Sequence, residues 1–222
     1  MGTDIHGVFQ RHNPETKQWE DIPHNYGMER HYQLFAVLAG VRNGTGFAGV
    51  RTGEPVTPIS KPRGYPADFV SEGPSDDGES CEDMHPIASL DAMDPRRRKW
   101  HTEGEPMSVW MGDHSHSWLT ADEMLAWYAN APTVVKVGIL SRSEYEAWDK
   151  TTAPESYCGG VSGPGVVIVN DNAVEREQTP GWTYIRCEWH EILDQSLRYF
   201  FDEVARLKAE HGEVRFVFGF DS

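Results

Sequence analysis

Residues 182–220 have the sequence WTYIRCEWHEILDQSLRYFFDEVARLKAEHGEVRFVFGF and predict a strand, a long helix and a second strand. Apolar and polar side chains alternate over residues 182–189, which is the periodicity of a half-buried strand. Over residues 192–210 the apolar side chains recur at helical spacing and form one broad face. Gly212 is placed to end this helix, and residues 214–220 form a last apolar strand.

Short strands and helices are also predicted along the preceding part of the chain. The patterns indicate a hairpin of residues 4–10 and 17–22, helices at 30–38, 121–128 and 142–149, and strands at 133–140 and 166–169. This order predicts an α+β fold with a mixed or mainly antiparallel sheet, packed helices and long functional loops. We expect one domain over residues 1–222, with a mobile acidic insertion at about 71–105.

The composition limits the classes of partner and the compartment. A formal net charge of −15 disfavours a long nucleic acid, because its phosphates would be repelled, whereas a small ligand needs only a few local cations. The three cysteines, Cys81, Cys158 and Cys187, are too far apart in sequence to suggest a disulfide framework. The sequence contains neither a signal-peptide pattern nor an apolar stretch long enough for a membrane span. We therefore expect a cytoplasmic protein with no membrane partner.

The stretch GDHSHSWLT at residues 112–120 carries the densest chemistry in the sequence. It holds two imidazoles, a carboxylate and several hydroxyls directly before a helix that Thr120 is placed to cap. His114 and His116 are two residues apart, so in extended backbone their rings would project to the same side and converge on one metal ion or phosphate. The alternative is a polar loop in which these side chains satisfy backbone groups around the helix start.

Two mechanisms combine these histidines with the first predicted strand. A divalent metal, zinc or manganese, would take its ligands from Asp4, His6, His114 and His116. Without a metal, general acid and base catalysis on a phosphate would use His6, Asp113, His114 and His116. The sequence lacks both the metal-binding motif HExxH and the His-x-Ser/Thr pairs of some phosphoesterases, so the cofactor is left unknown.

A glycine-rich loop over residues 40–66 is the candidate phosphate-binding segment. A glycine-rich backbone can approach a ligand closely and offer amide donors. Cations concentrate around this loop although the whole chain is acidic, and ordinary surface solvation is the alternative explanation. The rings of Tyr65 and Trp118 are candidates to stack on a base, although a core position for Trp118 is an alternative. The predicted ligand-binding residues are Arg42, Asn43, Arg51, Lys61, Arg63, Tyr65, Ser115, Ser117 and Trp118.

Four segments form a distinctive set: TDIH at residues 3–6, YQLFAVLAGVRN at 32–43, PISKPRGYP at 58–66 and GDHSHSWLT at 112–120. Together they resemble a family of largely uncharacterised bacteriophage proteins, over about residues 1–130. The resemblance implies a phage or prophage origin and carries no catalytic residue over to this chain. Some small phage proteins disarm bacterial immunity by cleaving or sequestering nucleotide signals, such as cyclic dinucleotides or cyclic ADP-ribose variants.

These observations leave three hypotheses for the function. The first is a phosphodiesterase-like enzyme that binds and hydrolyses a small nucleotide immune signal in the host bacterial cytosol, as a counter-defence protein. The second is a non-catalytic sponge that encloses the same class of nucleotide, at the interface of a homo-oligomer. The third is a structural or host-protein-binding phage factor in which the histidines are architectural.

Overall fold

The computed structural model describes residues 2–71, 84–86 and 108–222. The strands are β1 (Asp4–His12), β2 (Trp19–Ile22), β3 (Met84–Pro86), β4 (Ser108–Trp110), β5 (His114–Thr120), β6 (Thr133–Ser141), β7 (Ile168–Asn170), β8 (Tyr184–Ile192) and β9 (Val214–Asp221). The α-helices are α1 (Tyr32–Ala39), α2 (Ala121–Tyr128), α3 (Arg142–Ala147), α4 (Ala173–Gln178) and α5 (Leu193–His211). The predicted acidic insertion at 71–105 lies outside the described residues, apart from its first residue and β3.

The strands form an α+β architecture dominated by antiparallel pairing, which confirms the predicted fold class. Over the described ranges, β2, β1, β9 and β5 make a four-stranded sheet in that order, β6, β8 and β7 make a second sheet, and β3 pairs with β4. All neighbours in the four-stranded sheet are antiparallel, and β7 runs parallel to β8. The last strand of the chain thus lies between the first strand and β5.

Strand β9 is buried on both of its faces. Phe216 and Phe218 belong to the main core, which also includes apolar side chains of α1 and α5. Val217 points to the opposite face, where it packs in a separate cluster with Met111. Because neither face meets solvent, the strand is apolar along nearly its whole length instead of alternating with polar residues.

Helix α5 covers the main core with one face. It has 19 residues, and Leu197, Phe201 and Val204 are buried in that core. On its exposed side, Arg198 and Asp202 form an i,i+4 ion pair. In the part of the chain that the structure describes, no helix is both long and apolar enough to cross a membrane.

Strand β6 connects the second sheet to the glycine-rich loop that follows α1. Gly53 forms an isolated antiparallel bridge with Lys136, and the Glu54 amide donates to the Val135 carbonyl at 3.0 Å. The loop is therefore added to the edge of the second sheet as a short extended segment. This contact brings together residues from two parts of the chain that are far apart in sequence.

Helix α2 begins directly after β5, as its predicted cap requires. The Glu123 amide donates to Thr120 Oγ1 at 3.2 Å, and the Thr120 amide donates to Glu123 Oε2 at 2.9 Å. This reciprocal capping box satisfies backbone donors at the helix start. Residues 114–120 of GDHSHSWLT are consequently a strand that ends in a helix cap, and not a loop. His116 and Ser117 nevertheless bond backbone groups, as the alternative interpretation predicts.

The long periodic elements match their predictions closely. The predicted helix at 192–210 is α5, and the predicted strand at 214–220 is β9. Helix α4 was not predicted, because its six residues include no buried side chain and so give no apolar face.

Gly219 lets β9 pass beneath the His116 ring. A Cβ atom at residue 219 would lie 2.5 Å from His116 Cδ2 and closer still to the Met111 carbonyl oxygen. We expect Gly219→Ala to lower the free energy of unfolding by about 1–3 kcal/mol, because the added methyl group overpacks this contact. Urea denaturation measures the change, with Gly160→Ala as the control, since a Cβ at residue 160 meets nothing within 4 Å. Equal losses in the two variants would contradict the prediction.

Candidate functional site

A β-bulge interrupts β5 between the two histidines of GDHSHSWLT. In the pairing with β9, His114 lies opposite Phe220 and Ser117 lies opposite Phe218, so β5 has one more residue in this interval than β9. Ser115 lies in the bulge with a left-handed φ of 53°. The two-residue alternation of side chains across the strand is therefore broken at this point.

The two histidine rings consequently lie on opposite faces of the sheet. The His114 ring is stacked beside Phe220, with ring centroids 6.0 Å apart, on the face of the main core. The His116 ring lies against Gly219 and has its centroid 4.6 Å from that of Tyr65, on the other face. The expectation that both rings converge on one ligand is wrong, because it assumed a regular strand without a bulge.

Arg63, Ser117 and Trp118 contact one another and a helix cap. The Arg63 guanidinium lies 5.1 Å from the centroid of the Trp118 ring and 2.6 Å from a Glu123 carboxylate oxygen. The Arg63 amide donates to Ser117 Oγ at 3.2 Å. These contacts give Arg63 partners within the fold, and its guanidinium holds the pKa of Glu123 below the usual range.

Asp4 and His6, the predicted site residues of the first strand, also have partners in the structure. The Asp4 carboxylate accepts from Arg30 at 2.7 and 2.5 Å, which lowers the pKa of Asp4. His6 Nε2 lies 3.4 Å from Asp221 Oδ2. Among the residues that the structure describes, no group of three or more His, Cys, Asp or Glu is placed to hold a metal ion. The zinc or manganese site stays a prediction.

A chain of hydrogen bonds connects His114 to Arg42. His114 Nε2 is 3.1 Å from Ser222 Oγ, and this hydroxyl is 2.9 Å from Thr3 Oγ1. The fully buried Thr3 also accepts from Arg42 Nε at 2.8 Å. At its other nitrogen, His114 Nδ1 is 3.0 Å from Ser115 Oγ. The fold therefore links the histidine on the core face to the glycine-rich loop.

A cavity of about 290 Å³ lies beside Arg42, between the glycine-rich loop, the start of α1 and β6. Three cationic side chains line it, Arg30, Arg42 and Lys136. Glu54 is the one carboxylate among its described lining residues. The cavity is thus locally cationic in a chain of formal net charge −15.

Asn43 and Gly53 hold the glycine-rich loop in place around this cavity. The Asn43 side chain donates to the Val56 carbonyl at 2.7 Å and accepts from the Val56 amide at 2.8 Å. Gly53 lies so close to β6 that a Cβ atom would be 2.5 Å from the Val135 carbonyl oxygen. Glycine is required here because the loop backbone could not otherwise reach the strand that carries Lys136.

Lys136 lines this cavity and, like Arg30 and Glu54, was not among the site residues predicted from the sequence. Its Nζ donates to Gln33 Oε1 at 2.6 Å, and it forms no ion pair with the described residues. Burial lowers the pKa of Lys136, and the negative charge of Glu191 partly opposes this effect. The sequence does contain a signal for this residue, since Lys136 is the one charged side chain in the apolar strand TVVKVGILS. A charge in a buried strand needs a polar or charged partner.

Most predicted site residues do not line the cavity; these are Asp4, His6, Arg51, Lys61, Arg63, Tyr65, Asp113, His114, Ser115, His116, Ser117 and Trp118. Arg42 and Asn43 do line it. Arg51 forms an exposed ion pair with Glu188 at 3.2 Å, and Lys61 is exposed. Of the predicted ligand-binding residues, Arg42 and Asn43 thus lie at the cavity and the others lie elsewhere; their part in binding stays a prediction.

No family model matches the chain, and neither a curated protein nor a solved structure matches it. The resemblance to bacteriophage proteins therefore stays a prediction. The chemistry of the cavity, with its three cations, is the remaining guide to function.

We expect His116 to contribute to stability through its fixed position in the fold. Its Nε2 is 2.9 Å from the Gly112 carbonyl oxygen, and its ring packs on Tyr65. His116→Ala should lower the free energy of unfolding by about 1–3 kcal/mol, because a hydrogen bond and ring packing are both lost. Urea denaturation gives the value, and His190→Ala is the control at an exposed histidine. A His116→Ala variant as stable as the control would contradict this role.

Proposed function

We propose that this protein binds a small phosphate-bearing nucleotide in the cavity beside Arg42 and holds it without cleaving it. The observation that carries the proposal is the half-buried ammonium of Lys136, which has a neutral amide as its hydrogen-bond partner. The negative charge of Glu191 acts on this ammonium without an ion-pair contact. A buried charge that lacks a contacting counter-ion is costly, so an anionic ligand at this position would stabilise it. Phosphate oxygens supply both the negative charge and the acceptors.

The electrostatics of the cavity support an anion. Arg30 and Arg42 line the cavity beside Lys136, although acidic residues exceed basic ones in the chain by 15 charges. Arg30 already pairs with Asp4, and Arg42 donates to Thr3. The two guanidiniums are therefore held in position before any ligand arrives, which reduces the cost of ordering them on binding.

Sequestration is favoured over hydrolysis by the placement of the histidines. His114 and His116 lie on opposite faces of the sheet, so they do not form an acid and base pair around one phosphate. His31 does line the cavity, but its Nδ1 accepts from the Leu34 amide at 3.2 Å as the cap of α1. Burial also lowers the pKa of His31, which disfavours the protonated form that a general acid requires.

The resemblance of the four sequence segments to bacteriophage proteins suggests a biological role for this binding activity, namely counter-defence. A protein that holds a nucleotide immune signal would lower its free concentration in the host cytosol and silence the response. Cyclic dinucleotides and cyclic ADP-ribose variants are the ligands of this class that we propose to test first. Because sequestration is stoichiometric, it requires tight binding and abundant protein but no turnover.

Removal of the Lys136 charge should weaken nucleotide binding. We expect Lys136→Gln to reduce the affinity for pyrophosphate at least about tenfold, because a charge-assisted hydrogen bond contributes about 1.5–3 kcal/mol. Lys17→Gln, at an exposed turn, is the control. Isothermal titration calorimetry measures both variants. Unchanged binding in Lys136→Gln, or equal losses in the two variants, would contradict the proposal.

The same interaction predicts a dependence on pH. The ammonium form of Lys136 binds the anion, so affinity should be present below the pKa of this lysine and fall as the pH rises through it. Because burial lowers this pKa, the fall should begin at a lower pH than for an ordinary lysine. The Lys136→Gln variant should lack this part of the pH profile.

One incubation separates the three hypotheses for function. Purified protein is mixed with cyclic dinucleotides and cyclic ADP-ribose isomers, the free ligand is measured, and the mixture is then heated and analysed by liquid chromatography. We expect ligand to be depleted before heating and released intact afterwards. New product peaks would instead establish an enzyme. The absence of depletion with every ligand would favour the structural or host-protein-binding hypothesis.

A further inference from the structure

A second and larger cavity adjoins the cationic one. It has a volume of about 620 Å³ and lies between the loop that follows Gly53, helix α2 and the start of β6. Glu54, Val56 and Val134 contribute to the walls of both cavities. No lysine or arginine is among its lining residues in the described ranges, so its chemistry differs from that of the first cavity.

We propose that this second cavity takes the base of the bound nucleotide and that Glu54 selects guanine. The inference rests on the proposed function, because the phosphates must occupy the cationic cavity for the base to reach the second one. Volumes of about 300–1,000 Å³ are typical of small-molecule sites, and the second cavity lies within this range. The proposal divides the nucleotide between the two cavities, with Glu54, Val56 and Val134 at their common wall.

The walls of the second cavity suit a flat aromatic ring. Trp127 lines it, and the indole is stacked on Phe201 with ring centroids 5.7 Å apart, which fixes its position. Three prolines, Pro55, Pro58 and Pro132, add rigid apolar surface. Bases stack favourably on aromatic side chains and lose unfavourable contact with water there.

Glu54 is the carboxylate with open acceptor positions at the junction. Its backbone amide is fixed to the Val135 carbonyl, and its exposed side chain forms no hydrogen bond with the described residues. The other carboxylate of this cavity, Glu123, already accepts from Arg63 and from Thr120. Glu54 is therefore the side chain available to recognise a base.

An ionised carboxylate accepts hydrogen bonds and donates none, so it distinguishes bases by the hydrogen-bond donors that they present. Guanine presents two adjacent donors, N1–H and the N2 amino group, which match the two oxygens of a carboxylate. Adenine presents an amino donor beside the N1 acceptor, and this acceptor would be repelled by a carboxylate oxygen. Glu54 should for this reason favour guanine, at the cost of a negative charge near the phosphate cavity. Among the ligands proposed above, a guanine-containing cyclic dinucleotide should therefore bind more tightly than a cyclic ADP-ribose.

The test compares GDP, ADP and pyrophosphate, which share a diphosphate group and differ in the base. Isothermal titration calorimetry with the wild-type chain should show GDP binding on the order of tenfold more tightly than ADP. Glu54→Gln should remove most of this preference, because glutamine offers both a donor and an acceptor. The same variant should bind pyrophosphate as tightly as the wild type or more tightly, since a nearby negative charge is lost. Glu177→Gln, at an exposed carboxylate of α4, is the matched control.

A second variant tests the stacking surface independently. Trp127→Leu should weaken GDP and ADP binding by similar factors and leave pyrophosphate binding unchanged. Retained pyrophosphate affinity also shows that this variant is folded. Such a pattern would support a base in the second cavity.

Two results would overturn the inference in distinguishable ways. If pyrophosphate binds but GDP and ADP bind no more tightly, or if their ratio is unchanged in Glu54→Gln, the assignment of the base is wrong and the anion site stands. If pyrophosphate does not bind the wild-type chain at all, the proposed function is wrong and the inference fails with it.

Discussion

The pairing of β9 with β1 and β5 is the contact on which the rest of the structure depends. It places the last strand between the first strand and GDHSHSWLT, and it buries a row of phenylalanines under α5. The same pairing brings Thr3 next to Ser222 and His114, and so connects the histidine to Arg42. Without this long-range contact, neither the core nor the hydrogen-bond chain to the cavity would form.

One irregularity in that sheet, the β-bulge in β5, changes the chemistry that is expected of GDHSHSWLT. The bulge at Ser115 puts the rings of His114 and His116 on opposite faces, although the two residues are neighbours in sequence. Each ring then makes contacts that a structural histidine makes: His114 with hydroxyls and His116 with Tyr65. The cationic cavity is therefore where we propose that a ligand binds.

Under the proposed function, the cavity would offer a site for an anion within an acidic protein. Local charge governs binding at short range, because a half-buried ammonium is poorly screened by solvent and salt. Lys136 supplies that charge, while the glycine at residue 53 allows the loop to close around it. A formal net charge of −15 disfavours long polyanions, so we expect the proposed site to take a small nucleotide in preference to a nucleic acid.

Local sequence was sufficient to predict the elements whose stability depends on residues nearby in the sequence. The apolar face of α5, the strand β9 and the cap at Thr120 were all predictable, because periodicity and capping act within a few residues. Two residues of the predicted binding loop, Arg42 and Asn43, line the cavity, and their role in binding stays a prediction. Local sequence could not predict the face on which each histidine lies. It also could not predict the hydrogen bond of Lys136 to Gln33, which is 103 residues away. These features exist only when distant strands pair, because a bulge and a buried cation are defined by the partners that tertiary structure supplies.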